Sequence, residues 1–185
     1  MNNWRWTGML TVATFVLALS GMAWAADDHD GCSNATLIGD YGFRVVGQAP
    51  TLNANHAPSV TVVVGMKHFD GAGNFTQVDF GVDDGVPDPS EVDATTGAFH
   101  FRTGETGTYT VNPDCTGSME LHLVPPGIPG GVIKTMFVLS NHGRAIHEVV
   151  AELTPPGATA PVLITTYAED WKLGSVRQHD DDDHE

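Results

Sequence analysis

SVTVVVGMKHFDGAGNFTQVDFGV, residues 59–82, is the stretch whose reading decides the fold. Two runs rich in β-branched and aromatic residues, Ser59 to Phe69 and Phe75 to Val82, flank Asp70-Gly71-Ala72-Gly73-Asn74. The runs suit a pleated surface, and the small, αL-tolerant residues between them suit a tight reversal, so the stretch reads as a β-hairpin. Along the first run Val60, Val62, Val64 and Met66 make a wholly apolar face, against Thr61, Val63, Gly65 and Lys67 on the other. The apolar face is the one expected to point inward.

Outward from this hairpin the same pattern repeats at Tyr41 to Gln48, Ala98 to Thr103, Gly107 to Val111, Ser118 to Val124, Val132 to Ser140, Arg144 to Leu153 and Pro161 to Leu173. Asn141-His142-Gly143 marks a second tight hairpin, and no stretch of a dozen residues carries a 3.6-residue period. Later runs also alternate: Met119, Leu121 and Leu123 against Glu120 and His122, and Ile133, Thr135, Phe137 and Leu139 against Lys134, Met136 and Val138. The expected fold is all-β, a single antiparallel up-and-down β-barrel of about eight strands, with a β-sandwich as the alternative. Closure removes exposed edges and favours the barrel. An eight-stranded interior is either filled by side chains or holds one small ligand.

The 185 residues fit one domain, and an apolar content of 41% allows a real core. With 8 Lys+Arg against 23 Asp+Glu, the chain is a poor match for nucleic acid or an anionic membrane surface, both of which require clustered cations. Residues 1–25 read as a signal peptide: Arg5 is followed by the apolar run Met9 to Leu19 and by Ala23-Trp24-Ala25, a small-x-small cleavage pattern. The expected organisation is therefore a leader (1–25), an acidic segment (26–31), the barrel (32–177) and an acidic disordered tail (178–185), with no membrane span once the leader is cleaved and a secreted or periplasmic location. In such an oxidising compartment Cys32 and Cys115 are expected to form one disulfide.

Three segments add a resemblance. The opening Cys32 to Phe43 (CSNATLIGDYGF), the turn Phe69 to Asn74 and the run Gly107 to Gly117 (GTYTVNPDCTG) resemble a family of secreted bacterial proteins of mostly unassigned function. Their folds are similar to calycin-like barrels, such as lipocalins and the allene oxide cyclase barrel. The resemblance implies the barrel shape and the cysteine pairing over residues 32 to 175. It implies no catalytic residue, because the shared positions carry turn and strand-end chemistry, and fold alone does not fix function.

Candidate chemistry is sparse. His68, His100, His122 and His147 fall in expected strands, and His100 shares a face with Arg102. A cyclase or isomerase could use His100, Glu120 or His122 to move a proton, with Arg102 fixing a carboxylate. Set against that, alternating His, Glu and Arg also make the solvated outer face of half-buried strands, and no nucleophile, triad or oxyanion motif accompanies them. His179, Asp180, Asp181, Asp182, Asp183 and His184 have the composition of a metal site, but terminal blocks of like charge are ordinarily solvated. No cofactor is expected. The function expected is a secreted, non-enzymatic barrel that binds a small apolar ligand or serves as an envelope-associated structural module. The alternative is a cofactor-independent isomerase or cyclase.

Overall fold

The computed structural model describes residues 31–50, 58–123, 130–162 and 164–174. The leader, most of the acidic segment and the acidic tail, with its six candidate metal ligands, lie outside the described residues. Nine strands follow in order: β1 (Ile38–Pro50), β2 (Pro58–Asp70), β3 (Asn74–Asp83), β4 (Val86–Pro87), β5 (Arg102–Val111), β6 (Thr116–His122), β7 (Val132–Ser140), β8 (Ala145–Thr154) and β9 (Thr165–Lys172). Every pairing is antiparallel. β1, β2, β3, β5, β6, β7, β8 and β9 pair in that order, and β9 returns to β1, so eight strands close an up-and-down barrel. The two-residue β4 pairs only with β3, at the barrel's rim.

The hairpin at residues 59–82 forms as its turn residues dictate. Asp70 accepts hydrogen bonds from the Ala72 and Asn74 backbone N–H groups and from Asn74 Nδ2, while Gly71 and Gly73 adopt φ of 77° and 109°. Those hydrogen bonds, the Asn74 side chain first, draw the Asp70 carboxyl down to about 2. Asn141, His142 and Gly143 likewise take positive φ between β7 and β8.

One end of the barrel is filled. Phe69 lies 5.2 Å from Tyr41 and 5.1 Å from Tyr109, both edge-on, and 5.4 Å from Phe75. Leu37, Val111, Met119, Leu121, Phe137 and Ile146 complete this core. Phe75 lies over Gly107 and Phe137 over Gly117 so closely that a Cβ at either glycine would stand under 2.5 Å from the ring. The segment preceding β1 caps this end. A Cys32–Cys115 disulfide joins it to the β5–β6 turn, Asn34 Oδ1 accepts from Val111 N, and Tyr109 Oη donates to the carbonyls of Asn34 and Leu37.

Three expectations need correction. Val60, Val62, Val64 and Met66 face outward, 38–49% exposed, and it is Ser59, Thr61, Val63, Gly65 and Lys67 that face the interior. Strand phase follows cross-strand partners: Phe69 pairs with Phe75 beside the turn and Lys67 with Tyr41, and those aromatics belong to the core. Second, Ala98 to Thr103 is not a barrel strand. Residues 98–101 lie outside, tied by a single Val92–Phe99 bridge, with Phe99 and Phe101 set edge-on to Phe80 on the outer face of β3. Arg102 instead begins β5, which continues through Gly107 to Val111 with a register shift against β3 between the Arg102 and Glu105 pairs. Third, β9 begins at Thr165, and Val162 makes only an isolated bridge.

Opening the disulfide releases the cap from the β5–β6 turn across a separation of 83 residues, so Cys32→Ser is expected to cost on the order of 4 kcal/mol of stability. Denaturant melts of oxidised and reduced protein check this, and the oxidised chain is expected to weigh two hydrogens less than the reduced one.

Candidate functional site

Above the aromatic end, the inward positions of neighbouring strands place polar side chains in one belt: Lys67 on β2, Gln77 and Asp79 on β3, Glu105 on β5, Thr135 on β7, Glu148 on β8 and Asp170 on β9, all buried. Registers explain the grouping, since Lys67 stands opposite Gln77, Gln77 opposite Glu105, and Asp79 opposite Arg102.

The belt contains two ion clusters. In the first, Lys67 Nζ donates to Glu148 Oε1 and stands 2.9 Å from Asp170 Oδ2. It also lies 4.9 Å from the centre of the Phe43 ring. Thr135 Oγ1 donates to Glu148 Oε2 at 2.9 Å. Burial alone would lower the ammonium's pKa. The charges of Asp170 and Glu148 outweigh it and hold Lys67 above its ordinary value. Burial, opposed by Lys67 and reinforced by Glu148, pushes Asp170 up to about 7.

In the second cluster all three guanidinium nitrogens of Arg102 contact carboxylates. Nε lies 2.8 Å from Glu105 and 3.1 Å from Asp79, one terminal nitrogen 3.0 Å from Asp79, and the other 3.5 Å from Asp88. Gln77 Nε2 donates to Asp79 and Glu105. Burial and the Asp79 charge push Glu105 up to about 8 against the pull of Arg102. Beside this cluster the short turn Pro89–Glu91, whose start is held by Asp88 accepting from Ser90 N and Oγ, places Glu91 fully buried against β3. Glu91 Oε2 accepts from Gly81 N at 2.7 Å, and Oε1 has no hydrogen-bond partner among the described residues. Burial raises this carboxyl too.

The belt borders a cavity of about 590 Å³ whose walls include Val45, Val63, Leu121, Leu123, Ile133 and Val150. Exposed Asp83, Asp84 and Val86 mark its mouth. Greasy walls with a few fixed polar groups are the ordinary make-up of a small-molecule pocket. Glu105 and Asp170 add groups able to give up or take a proton near neutral pH.

Of the residues singled out from sequence, Arg102 alone faces this cavity. His100 is exposed on the outer segment. Glu120 and His122 face each other outside the barrel at 3.3 Å, 42% and 50% exposed. His68 pairs with Asp40 and His147 with Ser140, both on the outside. The structure does not bring the four catalytic candidates together. Lys67, Asp79, Glu91, Glu105, Glu148 and Asp170 went unrecognised. Lys67 shares parity with Phe69, and Glu105 with Gly107, Tyr109 and Val111, so the phase set by the aromatics nearest the turns was the available signal. No group of three or more His, Cys, Asp or Glu among the described residues could hold a metal ion, and no described helix is long and apolar enough to cross a membrane. A scan of protein-family models finds no match to the chain, and a comparison with curated proteins finds none.

Lys67→Met strands two buried carboxylates and is expected to cost about 3–5 kcal/mol in denaturant unfolding. Lys134→Met, at an exposed pair with Glu152, is expected to change stability little. The raised carboxyls also set a pH dependence. Glu105 ordinarily titrates near 4.5 but in the fold at about 8, so across that window the folded chain keeps a proton the unfolded chain has lost. Its favourable contribution is complete at acid pH and disappears as pH rises. The unfolding midpoint is therefore expected to fall between about pH 5 and pH 8, and Glu105→Gln to flatten that slope.

Proposed function

We propose that the protein is a secreted, non-enzymatic barrel that binds one small, largely apolar molecule in its open cup. The observation that carries this reading is the cavity of about 590 Å³, walled by Val, Leu and Ile above a polar belt. That volume falls in the range that encloses most of a small ligand's surface. Apolar burial at about 25 cal/mol per Å² supplies the affinity, and the belt orients the polar end. Secretion is supported by the leader pattern of residues 1–25 and by the Cys32–Cys115 disulfide, which suits an oxidising compartment. Family membership stays with the calycin-like resemblance of the Cys32, Phe69 and Gly107 segments.

The raised pKa values of Glu105 and Asp170 favour one second reading. A cofactor-independent isomerase or cyclase needs a carboxyl that exchanges protons near neutral pH beside an apolar substrate, and these two supply it. Arg102 would not anchor a substrate carboxylate in this scheme, because its nitrogens are already engaged by Asp79, Glu105 and Asp88.

Titration calorimetry with octan-1-ol is the direct test. One molecule is expected to bind per chain, and Val63→Trp, which fills the cup from β2, is expected to weaken binding at least about tenfold with the fold's circular dichroism unchanged. Absence of binding to the native protein would favour the structural module instead.

A further inference from the structure

The groups around the cavity are unbalanced in a way that selects a ligand. Two cations, Lys67 and Arg102, share the interior with five buried carboxyls: Asp79, Glu91, Glu105, Glu148 and Asp170. Both cations are consumed. Lys67 Nζ is surrounded by Glu148, Asp170 and the Phe43 ring, and each guanidinium nitrogen of Arg102 meets a carboxylate. Among the described residues lining the cup, an anionic head group therefore finds no cation free to receive it. It would also pass Asp83, Asp84 and Asp88 on the way in. Desolvating a carboxylate against that surface is unfavourable at every step.

Glu91 supplies an independent observation. It is fully buried, forms part of the cavity wall, and is fixed at one oxygen by Gly81 N, while Oε1 has no hydrogen-bond partner among the described residues. A buried polar atom without a partner costs free energy unless something else supplies the hydrogen bond. The charged groups acting on it are Arg102, Asp79 and Asp88, and the one cation among them contacts carboxylates through every nitrogen. What the site lacks is a donor.

We propose that the cavity takes an apolar amine, its ammonium donating to Glu91 Oε1 and its hydrocarbon body lying against Val63, Leu123 and Val150. This rests on the reading of the cup as a ligand site and adds the class of head group it selects. Ammonium against a buried carboxylate is a charge-assisted hydrogen bond, roughly twice as strong as a neutral one. An alcohol of the same length retains the apolar burial and forgoes the charge, and a carboxylate is excluded.

Three probes of equal chain length test this by calorimetry at pH 7 on the leader-free, disulfide-intact protein: octylamine, octan-1-ol and octanoate. Octylamine is expected to bind at least about tenfold tighter than octan-1-ol, to be displaced by it, and to lose that advantage in Glu91→Gln. Octanoate is expected not to bind. The series on the native protein stands even if Glu91→Gln fails to fold. Octanoate binding as well as octylamine, or octylamine gaining nothing over octan-1-ol, overturns the amine inference and leaves the cup as a ligand site. Failure of all three probes overturns both.

Discussion

An ammonium group inside an eight-stranded barrel is the constraint on which the rest of this structure depends. Lys67 is 5% exposed, and burying its charge is tolerable only with opposite charge in contact. Glu148 and Asp170 supply that charge from β8 and β9, so three strands must hold a common phase and height. Once Lys67 points inward, Val60, Val62, Val64 and Met66 must point out, whatever their hydropathy. The outer aromatic cluster of Phe80, Phe99 and Phe101 follows from a similar choice on β3, where Gln77 and Asp79 take the interior positions.

The fold class was legible because turn chemistry and β-propensity agree along nearly the whole chain. Asp70 to Asn74 and Asn141 to Gly143 form the expected reversals, and β6 and β7 bury the greasier of their two faces. β2 was misread for a physical reason. Its outward face is the more apolar of the two, so hydropathy points to the wrong one, and the deciding interaction joins Lys67 to residues about 80 and 100 positions away. The site was lost with the phase. His100, Glu120 and His122 drew notice as polar residues in β-rich runs, whereas Glu91 sits in a turn within an acidic loop and becomes buried only when that loop folds onto β3.

The barrel's two ends divide labour. Aromatic contacts, the disulfide and tyrosine hydrogen bonds hold the capped end together. The open end uses aliphatic side chains and carboxyls, and packs less. The polar belt lies between them. A buried belt so rich in carboxyls is expensive in stability, because desolvated charge is repaid only by partners in contact.

Closure carries a further consequence, in the order of folding. Barrel formation is complete only when β1 meets β9, and Arg44, which contacts Glu169 across that seam, lies 125 positions from it in the chain. Such distant pairing pays loop-closure entropy before it returns any contact energy. β1 therefore stays unpaired on one edge until nearly the whole chain is available, and the last strand, bearing Asp170, brings both the final backbone ladder and one counter-charge for Lys67. Folding is thus expected to be slow, and the step that closes the sheet also completes the charge cluster within it.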